Sequence, residues 1–128
     1  MKIEKKKVYF NDKRGEIADI IYKEPYDAVT VITSKKGAVR GNHYHKETIQ
    51  SVYLHSGKLE SLTRKIGDKK IKHTIVKPGE LLTTEENEEH ALIALKDSVF
   101  YVFTRGPRSG IDYEKDTYRL AKPLRTAN

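Results

Sequence analysis

The chain contains no cysteine. That absence removes disulfides, thiolate metal ligands and cysteine nucleophiles in one step, and it fits a reducing compartment as it fits any other. Tryptophan is absent too, and there is a single methionine. The longest apolar runs, 91–95 and 99–103, fall far short of the roughly 20 residues that cross a bilayer as a helix. The lysine-rich start, Met1 to Phe10, lacks the apolar segment of a signal peptide. A cytoplasmic protein without a membrane partner is the expectation. There is no long block of one charge either. Twenty-five basic and eighteen acidic residues give 25 − 18 = +7, but the basic runs are short, Lys5-Lys6-Lys7 and Lys69-Lys70. Such dispersed charge reads as a solvated surface. With no RNA-binding aromatic motif and no zinc-finger spacing, nucleic acid is not an expected partner.

A sustained helical period is also missing. What is present is a series of short runs rich in Val, Ile, Thr, Tyr and Phe, separated by turn residues. Strands are expected at 6–10, 15–22, 28–33, 36–45, 49–56, 58–65, 70–76, 80–84, 90–95 and 99–105, with one more at 117–120. The breaks include Asn11-Asp12, Ser56-Gly57, Gly67-Asp68 and Pro78-Gly79. Regular strands with turn chemistry point to an all-β sandwich or barrel. At 128 residues the chain fits one domain, 1–128. Its core is expected at about 28–105, with N-terminal strands over 5–22 and a C-terminal strand and tail over 106–128 that ends loosely. Glu85, Glu86, Glu88 and Glu89 read as a solvated acidic loop, which would disfavour an anionic ligand on that side.

The chemistry concentrates in residues 37–57. His43 and His45 are two apart, so on a strand they share a face. Gln50 can join them from the next strand. If it does, Val52 and Leu54 also face inward while Ser51, Tyr53 and His55 face away, which describes a barrel with a wet mouth and a packed interior. His55 and His73 lack such company and read as surface residues.

The spacing Gly37-x5-His43-x-His45-x4-Gln50-x6-Gly57 resembles the first motif of the cupin superfamily, with glutamine where that family has glutamate. Gly79-x5-Glu85-x-Asn87-x2-His90 keeps the spacing of the second motif together with its glycine and histidine. It loses the proline, the second glycine and the final asparagine. The resemblance implies an all-β, single-domain cupin jelly roll, a double-stranded β-helix barrel, with His43, His45, Gln50 and His90 at its mouth. Arg40-Gly41-Asn42-His43-Tyr44-His45-Lys46 is similar, more narrowly, to sugar 3,4-ketoisomerases, dTDP-4-dehydrorhamnose 3,5-epimerases and the cupin domain of capsular polysaccharide enzymes. Asn11-Asp12-Lys13-Arg14-Gly15 resembles the opening of the same sugar enzymes.

The resemblance leaves two chemistries open. In one, His43, His45, Gln50 and His90 hold a divalent transition metal (zinc, nickel, iron, copper or manganese), for which neutral imidazole is a suitable donor. In the other, His43 and His45 are catalytic without a metal, moving a proton at the carbon beside a ketone. Arg40, Tyr44, Lys46, Tyr101 and Arg105 are the candidate substrate-binding residues. The expected activity is an isomerase or epimerase of nucleotide-sugar metabolism, with a small-molecule substrate and no organic cofactor. A metal-dependent dioxygenase or lyase and a non-catalytic sugar-binding module are the alternatives. A homodimer is expected, because jelly-roll edges are often paired between subunits.

Overall fold

The computed structural model describes residues 1–107, 110–112 and 114–126. Two five-stranded antiparallel sheets face one another. The first runs in the order β1 (Lys2–Lys5), β9 (Glu80–Thr84), β6 (Ile49–Ser56), β11 (Ser98–Arg105) and β4 (Ala28–Ser34). The second runs β12 (Tyr118–Arg119), β5 (Val39–Tyr44), β10 (Glu88–Ala94), β7 (Leu59–Lys65) and β8 (Lys72–Val76). A separate hairpin joins β2 (Val8–Asp12) to β3 (Gly15–Ala18). One 3-10 turn, Gly110–Asp112, is the only helical element among the described residues. This is the expected all-β cupin barrel.

Period-two alternation explains the packing. Along β11, Ser98, Phe100, Val102 and Thr104 are buried and alternate with half-buried residues. Along β6, Gln50, Val52 and Leu54 point inward. Val52, Leu54, Leu59, Val76, Leu82, Ala94, Phe100 and Val102 form the core between the sheets. Phe100 is 1% exposed, and truncating such a side chain costs about 3–5 kcal/mol. Ser51 faces the other way, as expected, yet it is buried, bonded to the hydroxyls of Tyr26 at 3.0 Å and Thr83 at 2.8 Å. Leu62, Ala91 and Ile93 make a second cluster on the outer face of the β5 sheet, covered by Val39, Ile71, Leu95 and Leu124.

Three expectations are corrected. Strand β1 lies at Lys2–Lys5, where no strand was expected, because an edge strand needs little apolar content. Only Ile3 of its four residues packs on the core, and its charged neighbours face water. The acidic stretch is a solvated loop only in part: Glu85 and Glu86 are exposed in the turn before β10. Glu88 starts β10, is buried, and pairs with the Met1 amino group at 2.6 Å, while Glu89 accepts from Arg64 Nε at 2.6 Å. The C-terminal segment is fastened to β5 as far as Arg125, by β12 and by the bonds of Leu124 and Arg125 to Asn42, while residues 127 and 128 of the expected loose end lie outside the described residues.

Candidate functional site

Strands β5 and β10 position the imidazoles. His43 and His90 are direct cross-strand partners, with ring centroids 4.7 Å apart and planes at 87°. His45 follows just beyond the end of β5, its ring 4.8 Å from His43 and 5.2 Å from His90. One ring nitrogen from each of the three lies within 4.8 Å of the others. All three are buried, His45 most deeply at 1% exposure.

Backbone carbonyls set two of the rings. His45 Nδ1–H donates to the carbonyl of Asp116 at 2.8 Å, and His90 Nδ1–H donates to that of Glu88 at 3.0 Å. A carbonyl only accepts, so the proton sits on Nδ1 in both, and Nε2 is the nitrogen turned to the cluster. This backing of an imidazole by a fixed acceptor is the usual support of a metal-ligating or basic histidine. Gln50 Oε1 lies 3.2 Å from His45 Nε2.

The site opens into a cavity of about 560 Å³ between the sheets, a size that suits a small organic ligand. Val52, Leu82, Leu92, Phe100 and Val102 line its apolar part. Arg40, His43, Gln50, His90, Glu114 and Arg119 line its polar part. Two arginines against one glutamate leave one net positive charge with the imidazoles neutral. His45 does not reach the cavity wall; it stands behind Gln50 and His43.

A bulge in β5 brings Arg40 to this cavity. Counted by twos from His43, Arg40 belongs on the opposite face. The pairing with β10 shifts between His90 and Ala91, so His90 opposes His43 while Leu92 opposes Arg40. The extra residue is Asn42, in the left-handed region at φ 59°, beside Gly41 at φ 97°. Arg40 is held there by Ser34 Oγ, which accepts from Nε at 2.8 Å, and by the Thr33 carbonyl at 3.0 Å. The Asn42 amide also fastens the C-terminal segment, accepting from the Leu124 amide at 2.9 Å and donating to the Arg125 carbonyl at 2.9 Å.

The other four candidate substrate-binding residues do not line the cavity. Tyr44 stacks on Tyr118 outside the barrel, with centroids 5.3 Å apart, and Lys46 Nζ lies 4.3 Å above the Tyr118 ring. Tyr101 faces outward beside His55, and Arg105 lies over Tyr26. Strand alternation accounts for Tyr101 and Arg105, which occupy the face of β11 opposite to Phe100.

Three contributing residues escaped the sequence reading, all from the C-terminal segment. Arg119 pairs with His43 across β5 and reaches the cavity, where Glu114 accepts from it at 2.7 Å. Asp116 takes four hydrogen bonds on its carboxylate, from the amides of Lys46, Glu47 and Thr48 and the hydroxyl of Thr48, at 2.8–2.9 Å. Burial pushes this carboxyl up, but the bonds from Glu47, Lys46 and Thr48 outweigh it and hold it below the usual carboxylate range. The sequence signals none of these roles, because they depend on where the tail crosses β5.

Known proteins share the architecture. A dTDP-4-dehydrorhamnose 3,5-epimerase from Sulfolobus tokodaii superposes with a TM-score of 0.74 at 21% identity, over 85% of this chain and 72% of that one. A sugar 3,4-ketoisomerase from Thermoanaerobacterium thermosaccharolyticum, solved with TDP, gives 0.77 at 20% identity, over 94% and 88%. The capsular polysaccharide assembling protein CapF from Staphylococcus aureus gives 0.68 at 24% identity. The match spans 90% of this chain but only 32% of CapF. No curated protein sequence matches the chain. A sequence profile for the polysaccharide biosynthesis C-terminal domain matches residues 10–98, so the chain belongs to that family, built on a cupin barrel.

Proposed function

We propose that the chain is an isomerase or epimerase acting on a nucleotide-linked sugar, by proton transfer at the carbon beside a ketone. The observation that carries this reading is the His43–His90 pair on the wall of a cavity with a net positive charge. Removing a proton alpha to a ketone calls for a base whose pKa lies near the working pH, and imidazole is that base. His90 has Nδ1–H committed to the Glu88 carbonyl, so its Nε2 is the accepting nitrogen. His43 stands beside it and stabilises the charge that develops on the enolate oxygen. Arg40 and Arg119, which line the cavity, would take up a diphosphate, for which guanidinium groups are suited. The sugar isomerase and epimerase structures that share the fold support the same substrate class.

The same residues fit a transition metal. Three imidazole nitrogens and the Gln50 amide oxygen are an uncharged donor set suited to zinc, nickel, iron, copper or manganese. Bound there, such an ion would supply Lewis-acid polarisation of a carbonyl.

We also propose a homodimer. Strand β4 ends its sheet, and Val29 and Val31 on it are 63% and 60% exposed. An open edge of this kind can pair with its own copy about a two-fold axis.

The test is solvent exchange. With TDP-4-keto-6-deoxyglucose in D2O, proton NMR should show loss of the signal beside the ketone. His43→Asn and His90→Gln should each slow that exchange by about 100-fold or more. No exchange, together with no rise in melting temperature at millimolar TDP, would overturn the reading.

A further inference from the structure

The end of β5 and the C-terminal segment meet at one residue. Asp116 is in the left-handed region, at φ 52°. That conformation lets it bond the 45–48 segment with both its side chain and its main chain. The carboxylate gathers three consecutive amides, of Lys46, Glu47 and Thr48, and the Thr48 hydroxyl. The carbonyl of the same residue receives Nδ1–H of His45. Thr48 is fully buried and His45 nearly so, which makes this a packed joint. Strand β12 follows at once and places Arg119 opposite His43.

We infer that Asp116 is a positioning residue: its carboxylate anchors the chain so that its carbonyl fixes the tautomer and orientation of His45. Without the carboxylate, four hydrogen bonds to residues 46–48 are lost and the carbonyl is free to drift from the ring. Its lock on His45 Nδ1–H then weakens, and Nε2 is no longer the only nitrogen able to accept. The consequence reaches the cavity through Gln50, whose amide contacts that Nε2 and which lines the cavity wall. Asp116 touches no substrate and acts through His45. Its kinetic consequence rests on the proton-transfer reading above, but its effect on the ring does not.

The experiment is long-range nitrogen–proton NMR of the histidine side chains in the full chain, well below the melting temperature. The wild type should show His45 as a single Nδ1–H tautomer. Asp116→Ala should show a mixture of both tautomers, and Asp116→Asn, which keeps one acceptor oxygen, should fall between them. In the solvent-exchange assay, Asp116→Ala should lower kcat by about tenfold with KM little changed, as loss of support behind an imidazole does. A folded Asp116→Ala protein whose His45 stays a pure Nδ1–H tautomer would overturn the inference. If the alanine variant does not fold, the asparagine variant decides by the same spectrum. If the chain exchanges no sugar proton at all, the proton-transfer reading fails while the spectrum still decides the role of Asp116.

Discussion

Gln50 places its amide oxygen 3.2 Å from Nε2 of His45, whose other nitrogen already donates to the Asp116 carbonyl. Two acceptors do not bond. A protonated His45 would donate to Oε1; the neutral Nδ1–H tautomer instead meets a turned amide whose N–H donates to Nε2, and this second arrangement is the one that agrees with the lock on Nδ1–H. A glutamine permits both states. A glutamate permits only the first, since an ionised carboxylate is acceptor-only.

Gln50→Glu should therefore convert the site from a neutral donor set to one that favours cations. Zinc affinity should rise by about tenfold or more, because a ligating carboxylate adds a charge attraction to the dication that the neutral amide lacks. Competition titration with a zinc-binding dye measures this. An unchanged affinity would mean that Gln50 does not belong to the donor set.

The histidine face was legible because a strand has a period of two and the glycine spacings fix where it turns. Gly57 shows why that glycine is needed: a Cβ there would collide with Ser98 Oγ and lie 2.7 Å from Ser98 Cα. The inward row Gln50, Val52, Leu54 followed from the same count. Arg40 lines the cavity, but its route there was not legible, because one bulged residue reverses parity and alternation alone does not report a bulge. Tyr44 and Lys46 are adjacent to the histidines in sequence yet face the other side of the sheet. Asp116 and Arg119 lie about 70 residues beyond the motif and join it only through the path of the tail.

Gly41 and Gly37 allow backbone strain to be separated from site damage. Both have positive φ, +97° and +92°, so a side chain at either is strained by about 1–3 kcal/mol. A Cβ at Gly37 meets nothing within 4 Å, whereas one at Gly41 lies 2.8 Å from the His90 carbonyl oxygen and 3.2 Å from Ala91 Cα. Gly37→Ala should lower the melting temperature by a few degrees and leave ligand binding intact. Gly41→Ala should lower it further and also weaken stabilisation by TDP, because the bulge carries both Arg40 and the contact with His90. Equal effects from the two substitutions would contradict this account of the bulge.

Acid should weaken the joint at Asp116. Its folded pKa is depressed below the unfolded value, so its contribution is fully present above the ordinary carboxylate pKa of about 4 and is lost as pH falls through the lower folded value. Denaturant titrations of wild type and Asp116→Asn from pH 7 to pH 2 test this. The wild-type advantage should be constant near neutrality and shrink only below about pH 4. An advantage that grows on acidification would have the wrong sign.

Strand β4 gives the proposed homodimer a specific site to fail. Its outward residues Val29 and Val31 are apolar and exposed, and no strand pairs with its free edge among the described residues. A lone apolar edge invites association, and lysine is a residue that natural edges use to block it. Light scattering after size exclusion should give about 29 kDa for the wild type, twice the chain mass of 14.7 kDa. Val31→Lys should shift the population to the monomer while leaving the fold intact. The inward neighbour Ile32 faces Phe100 and the core, so lysine at position 31 disturbs only the outer face. A Val31→Lys protein that stays dimeric would move the interface away from β4, and the β2–β3 hairpin, with Phe10 at 52% and Ile17 at 62% exposure, would then be the surface to substitute.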